Sequence, residues 1–122
     1  RLIADDFQRA YGRCDVIAGP TTPTAAFCIG DKADDPVQMY LNDIFTVAAN
    51  LTGMPAMSIP CGTTTAGLPI GLQLQANHFA EARLLQVAHR FQQVTDWHLR
   101  APPARSKTTV AGPHEAARAT QP

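Results

Sequence analysis

Hydrophobic residues recur every three or four positions in three stretches of the chain, 2–11, 36–51 and 80–95, which predicts three helices. The middle helix has clear ends: Asp35 can cap its free amides, and Gly53 can adopt the left-handed conformation that closes a helix. Apolar side chains cover most of the circumference of this helix, so we expect it to be largely buried. The last helix is amphipathic and should lay one face on a core.

Short apolar or alternating runs bounded by turn residues predict three strands. The run at 15–18 fits a buried strand, and the segment 20–24, which holds two prolines, should be a loop leaving it. The run at 56–60 is a second strand. The third, at 70–75, alternates apolar with polar or small residues, so one of its faces should lie on a core. Within it Gly71 has no side chain, which suits a close approach by another backbone or a ligand.

A narrow polar stripe interrupts the middle helix and is the most informative feature of the sequence. Asn42, Asp43, Thr46 and Asn50 lie three or four positions apart on one helical face. A carboxylate on an otherwise apolar helix needs a cationic or hydrogen-bond-donating partner. For Asp43 that partner is a ligand ammonium or, in the structural alternative, a backbone amide or an arginine. Asn42 and Thr46 are candidates to line the same site, although satisfying loop backbone is the plainer interpretation of both and of Asn50.

The composition of the chain argues against nucleic-acid binding, membrane association and metal binding. Ten basic and ten acidic side chains cancel, which leaves no electrostatic footprint for nucleic acid or an anionic membrane. The cysteines, Cys14, Cys28 and Cys61, are far apart, which argues against a disulfide framework or a zinc site and for a reducing, cytoplasmic compartment. The four histidines lack metal-ligand spacing, and no apolar run approaches the roughly 20 residues of a membrane span. We therefore expect no metal and no membrane partner.

The predicted elements all fall within residues 1–100, which we interpret as part of one domain. The segment 101–122 is rich in proline, alanine, threonine and charge, with Val110 as its large aliphatic residue, so a disordered tail is expected there. The chain begins inside a predicted helix, with neither a methionine nor a leader, which suggests a piece of a longer protein.

Five runs, in this order, resemble the carboxy-terminal part of the amidase signature family. They are CDVIAGPTTPT at 14–24, MYLNDIFT at 39–46, NLTGMPAMSIPCG at 50–62, GLPIGLQL at 67–74 and TDWH at 95–98. The runs at 50–62 and 67–74 are common to many amidases. The runs at 39–46 and 95–98 are similar to the A subunit of the bacterial glutamyl-tRNA(Gln) and aspartyl-tRNA(Asn) amidotransferases in particular. Ala48 departs from this pattern, since these proteins often carry proline there; the change removes a helix irregularity.

The resemblance implies an α/β fold, a mixed central sheet covered by helices, of which this chain would hold an incomplete carboxy-terminal portion. It also implies amide hydrolysis by a Ser–(cis-Ser)–Lys triad, in which the lysine activates the bridging serine that relays a proton from the nucleophile. That triad lies upstream of the runs matched here, and neither Lys32 nor Lys107 fits its lysine. We expect the chain to hold no catalytic residue and to be inactive alone.

The resemblance further implies a function for the polar stripe. Asp43 corresponds to the acid that holds the α-amino group of substrate glutamine in the amidotransferases. Ammonia from glutamine would pass to a partner protein, where ATP and magnesium serve to activate the misacylated tRNA before its amidation. The implied assembly is a heterotrimer with the B and C subunits, in which tRNA is bound mainly by the partner. This chain would bind no cofactor itself.

Two other functions fit the same residues. One is a stand-alone amidase-signature hydrolase of small amides, and the other is a non-catalytic interaction module. The remaining reactive side chains have plainer interpretations: Cys61 is a buried small apolar residue without a base, and His89 is a surface or core-edge histidine. Thr21, Thr22 and Thr24 fit a stiff turn closed by their hydroxyls better than a binding loop.

Overall fold

The computed structural model of the chain describes residues 1–29 and 35–101. The predicted tail at 101–122 lies outside the described residues apart from its first position, and so do Lys32 and Lys107.

Four α-helices and three strands make up the described fold. The helices are α1 (Leu2–Tyr11), α2 (Pro36–Leu41), α3 (Val47–Thr52) and α4 (Glu81–Val94), with a single 3₁₀ turn at Trp97–Leu99. The strands are β1 (Val16–Pro20), β2 (Ala56–Thr63) and β3 (Pro69–Ala76). The first and last predicted helices and all three predicted strands are therefore confirmed, within a few residues at their ends.

The three strands form one antiparallel sheet in the order β1-β3-β2. Proline cannot donate to a strand ladder, and the sheet places Pro20 and Pro60 on its two outer strands. A register shift follows Pro60 in β2. The prediction of a loop from residue 20 onward was one residue early, and β1 is a half-buried outer strand instead of the buried strand expected.

One face of the sheet packs against α4 and forms the core. Its buried members are Ile59, Leu74, Ala76, Leu84 and Ala88, each at most 5% exposed. The two helical residues lie on the apolar stripe that the spacing predicted for this amphipathic helix. Removing this surface from water is the main stabilising contribution in the described fold.

The opposite face of β3 is covered as well, which corrects the expectation of a strand with one core face. Its polar side chains Gln73 and Gln75 are only 9% and 4% exposed. They line a cavity together with Phe7 of α1 and Ala48 of α3, and these two helices contact each other. A central strand covered on both sides must satisfy buried amides internally, and sequence alternation alone does not reveal this.

The long buried helix predicted at 36–51 was wrong in two respects. Residues 42–46 form a turn that separates α2 from α3, and large apolar side chains around it are exposed, Val37 at 66% and Leu51 at 65%. The amides of Asn42 and Asp43 bond three residues back rather than four. Short polar side chains that hydrogen-bond to nearby backbone compete with a regular helix, and this stretch holds several of them.

The helix ends agree with the residue types found there. Asp35 Oδ1 accepts a 3.0 Å hydrogen bond from the amide of Val37 at the start of α2. Gly53 closes α3 with φ of 68°, and its amide donates to the Ala49 carbonyl at 2.9 Å. Both ends show the capping chemistry that was predicted for them.

The left-handed Gly53 gives a first testable expectation. We expect Gly53→Ala to destabilise the fold by about 1 kcal/mol, because a Cβ is disfavoured at positive φ even where space is open. Gly19→Ala is the matched control, since a Cβ there also meets nothing within 4 Å but φ is not positive. Thermal unfolding of both variants measures the difference; an equal effect at both sites would contradict the backbone explanation.

Candidate functional site

The polar stripe is brought together in the turn at 42–46. The carbonyl oxygen of Asp43 accepts hydrogen bonds from the amides of Thr46 and Val47, both at 2.9 Å, and from the Thr46 hydroxyl at 3.0 Å. Three donors on one carbonyl fix the backbone of Asp43 against the first turn of α3. Asn50 Nδ2 lies 3.4 Å from the Thr46 carbonyl in the same helix. Thr46 and Asn50 thus have the backbone-satisfying roles that were their plainer interpretation.

Asp43 is exposed, and within residues 1–29 and 35–101 its carboxylate makes no hydrogen bond or ion pair. The structural alternative, a buried acid held by a backbone amide or an arginine, is not what the described fold contains. The charged group is therefore accessible to a ligand, while its backbone is held firmly.

A buried glutamine ties this turn to the sheet. Gln73 Nε2 donates to the carbonyl oxygen of Phe45 at 2.9 Å, reaching from the central strand to the middle of the turn. The residue pattern carries no direct signal for this contact, because alternation shows that the two glutamines share a face but not that this face is buried. The alternation was interpreted as a strand with one core face, so the contact was missed.

An open cavity of about 230 Å³ lies between the turn and the sheet. Its walls are mainly apolar and come from α1, β1, β3 and the turn with α3; they include Phe7, Ile17, Ile44, Phe45 and Ala48. Gln73 and Gln75 also line it. Asn42, Asp43 and Thr46 do not line it. Such a cavity suits an apolar group, so an ammonium bound by Asp43 would sit outside it.

The threonines after β1 form the stiff turn expected of them. The Thr22 hydroxyl donates to the Thr24 carbonyl at 2.8 Å, and the hydroxyls of Thr21 and Ser58 are 2.7 Å apart. This hydroxyl pair crosses β3 above Gly71: a Cβ on that glycine would lie 2.7 Å from one oxygen and 2.8 Å from the other. A close approach does occur at this glycine, but the approaching groups are two side chains instead of the backbone or ligand that was predicted.

A second cavity, of about 240 Å³, lies beside the same loop and is lined in part by Thr22, Thr24 and Thr64. The described residues around it contribute hydroxyls as their polar side-chain groups and bring no charged side chain to its walls.

The other reactive groups have structural surroundings. Cys14 and Cys61 are free thiols, and Cys61 is half-buried instead of buried as expected, with its sulfur 3.5 Å from the Ile70 carbonyl. His89 is exposed and contacts Gln93 on the same helix. Among the described residues no cluster of acids, histidines and cysteines could hold a metal ion, and no helix is long and apolar enough to cross a membrane.

One titratable group is shifted by its surroundings. Burial raises the pKa of the Tyr11 phenol, and the neighbouring Cys14 raises it further. Both effects hold the phenol in its neutral form, so they give it no role as a base near neutral pH.

Comparison with known proteins settles the relationship. The sequence profile of the family described as Amidase matches residues 1–85. This chain belongs to the amidase family. Two of its amidase relatives are the A subunits of glutamyl-tRNA(Gln) amidotransferase from Cupriavidus necator and Aromatoleum aromaticum, each 65% identical over 102 residues. The match covers 84% of this chain and 20% and 21% of the two relatives, so the chain spans about a fifth of their length.

Solved amidase structures confirm the fold class. The A subunit of glutamyl-tRNA(Gln) amidotransferase from Thermotoga maritima superposes with a TM-score of 0.70 at 38% identity, covering 74% of this chain and 20% of that one. A 6-aminohexanoate cyclic dimer hydrolase also superposes with a TM-score of 0.70, at 30% identity, covering 81% of this chain and 23% of that one. The helices and antiparallel sheet described above are thus a portion of the amidase fold.

Proposed function

We propose that this amidase chain is part of the A subunit of a glutamyl-tRNA(Gln) amidotransferase, which uses ammonia from glutamine to convert misacylated Glu-tRNA(Gln) to Gln-tRNA(Gln). We propose Asp-tRNA(Asn) as an additional substrate of the same enzyme. The observation that carries the proposal is the 65% identity to two relatives of that name, sustained over 102 residues.

The part played by this chain is recognition of glutamine. Asp43 is proposed to hold the α-amino group through a charge-assisted hydrogen bond, with Asn42 and Thr46 nearby at the edge of the site. An exposed carboxylate on a backbone held by three hydrogen bonds supports this role, because the charge is accessible and the backbone that carries it is fixed. The Ser–(cis-Ser)–Lys triad of the family would come from the rest of the protein, so this chain alone would be inactive.

The proposed assembly contains further proteins, since the name of the relatives denotes one subunit of an amidotransferase. The B and C subunits would complete a heterotrimer, in which the partner binds ATP, magnesium and most of the tRNA. The balanced charge of the chain agrees with a minor role in tRNA binding. Its free thiols agree with a reducing cytoplasmic compartment.

A stand-alone amide hydrolase is the second candidate, favoured by a TM-score to the 6-aminohexanoate cyclic dimer hydrolase equal to that of the Thermotoga maritima amidotransferase. Fold likeness does not discriminate between the two activities. Sequence identity favours the amidotransferase, since it is 38% to the solved amidotransferase subunit and 30% to the hydrolase.

A chimera tests the proposal directly. Residues 1–100 of this chain would replace the matching segment of the Cupriavidus necator relative, and the product would be expressed with its partner proteins. We expect glutamine-dependent amidation of Glu-tRNA(Gln) at a rate within about tenfold of the parent, a tolerance of about 1.4 kcal/mol in the barrier. The control is amidation driven by added ammonia. A folded chimera that uses ammonia but not glutamine would contradict the proposed role of this segment.

A further inference from the structure

The turn that carries Asp43 has little else to hold it over the sheet. The main helical packing on the sheet comes from α4 and the 3₁₀ turn, whereas α2 and α3 touch it at few points. The large side chains of the turn itself, Ile44 and Phe45, are 54% and 39% exposed. Because the 42–46 turn has few apolar contacts with the sheet, it is free to shift. A single hydrogen bond between the turn and the sheet therefore has a large influence on the position of the turn.

Gln73 supplies such a bond from the central strand of the sheet. It is paired with Gly19 on one side and Ser58 on the other, and it is 9% exposed. Its Nε2 donates to the Phe45 carbonyl at 2.9 Å. Because that carbonyl is two residues from Asp43, the bond sets how far the turn stands from the sheet.

We propose that Gln73 is a positioning residue for glutamine recognition: its amide anchors the 42–46 turn so that the carboxylate of Asp43 meets the substrate ammonium. This inference rests on the proposed function of Asp43. Gln73 itself touches no substrate and acts through the backbone of the turn. Loss of the anchor lets the carboxylate sample positions away from the ammonium, which weakens substrate binding and leaves the chemical step intact.

The neighbouring Gln75 provides a matched control. It lies two residues further along the same strand, on the same face, and is 4% exposed. Within the described part of the chain, its side chain makes no hydrogen bond to the 42–46 turn. Replacing either glutamine by methionine keeps the length of the side chain and removes its amide, so the two variants share the cost of altering a buried polar position.

The experiment compares Gln73→Met and Gln75→Met in the chimeric enzyme with its partner proteins. We expect Gln73→Met to raise the KM for glutamine roughly two- to tenfold, the effect of one ordinary hydrogen bond. The kcat with glutamine and the ammonia-driven rate should stay close to the parent values, and Gln75→Met should leave the KM unchanged. Equal KM values in the two variants, or parallel loss of both activities in Gln73→Met, would overturn the positioning role.

An Asp43→Asn background separates this inference from the function on which it rests. If Gln73 acts through Asp43, Gln73→Met should raise the KM no further once the carboxylate is gone. Additive effects would show that Gln73 acts by another route and overturn the inference. An unchanged KM in Asp43→Asn alone would overturn the proposed function of Asp43 instead.

Discussion

Replacing Asp43 by asparagine is expected to raise the KM for glutamine about ten- to hundredfold, the change that corresponds to loss of a charge-assisted hydrogen bond of about 1.5–3 kcal/mol. Amidation driven by added ammonia should survive, because ammonia bypasses glutamine recognition. Steady-state kinetics of the chimeric enzyme with each nitrogen donor measures the two effects. Asparagine keeps the size of the side chain, so the exposed turn should fold as before.

Asp15→Asn is a suitable control for this variant. Asp15 is also an exposed acid, and its carboxylate lies 3.6 Å from Arg83 at the surface, where an ion pair contributes little to stability. We expect its glutamine kinetics to match the parent. Unchanged kinetics in Asp43→Asn would remove Asp43 from the site. Loss of both activities together with a lower melting temperature would assign it a structural role.

Much of the fold follows from residue patterns that act locally. The apolar stripe of α4, the cap at Asp35 and the left-handed Gly53 each depend on a few neighbouring residues, and the structure has all three. A glycine within a strand pattern likewise indicates a close approach, and Gly71 has one, although the groups that approach it are side chains and not the backbone or ligand expected.

The break between α2 and α3 shows where local patterns fail. Apolar spacing continues through 42–46, so periodicity predicts one helix. In the structure the amides of Asn42, Asp43 and Ile44 bond three residues back instead of four, and spacing alone does not encode this change of hydrogen-bond pattern. The candidate acid was therefore found from its residue type and the family resemblance, but its setting was wrong: it lies on an exposed turn instead of a buried helix.

The two buried glutamines show a second limit. Alternation along β3 predicts that one face is polar, and polar faces are usually solvated. Gln73 and Gln75 are nevertheless buried, and they line one cavity together with side chains of α1, the 42–46 turn and α3, which are distant from them in sequence. Tertiary contacts of this kind decide which polar residue becomes an anchor, and a single sequence does not contain them.

Gly71→Val is expected to have the largest effect on stability among the substitutions considered, about 2–3 kcal/mol, because the new side chain has no room. Its Cβ alone would lie 2.7 Å from Ser58 Oγ and 3.2 Å from Thr21 Cβ. The hydroxyl pair must then separate, and the hydrogen bond from the Thr21 amide to the Gly71 carbonyl, now 3.1 Å, is strained with it. Thermal unfolding of the chimeric enzyme gives the measurement.

Gly62→Val is the matched control for this substitution. Gly62 lies in the neighbouring strand, and a Cβ there would be 4.0 Å from the tip of Ile70, an ordinary contact. We expect a small change in melting temperature. Adding Ser58→Ala to Gly71→Val should recover part of the lost stability, since one of the two obstructing oxygens is removed. Equal destabilisation at both glycines, with no recovery, would contradict the steric explanation.

The strand order β1-β3-β2 bears on how this region assembles. β2 and β3 are consecutive and close over a short turn, whereas β1 reaches β3 only after the chain has passed through α2, α3 and β2. Closing the longer loop costs more chain entropy, so the hairpin with α4 should form first and β1 should dock afterwards. The turn bearing Asp43 lies inside that longer loop. The part of the fold proposed to recognise glutamine is thus expected to be among the last to become ordered, and among the first to loosen when the domain opens.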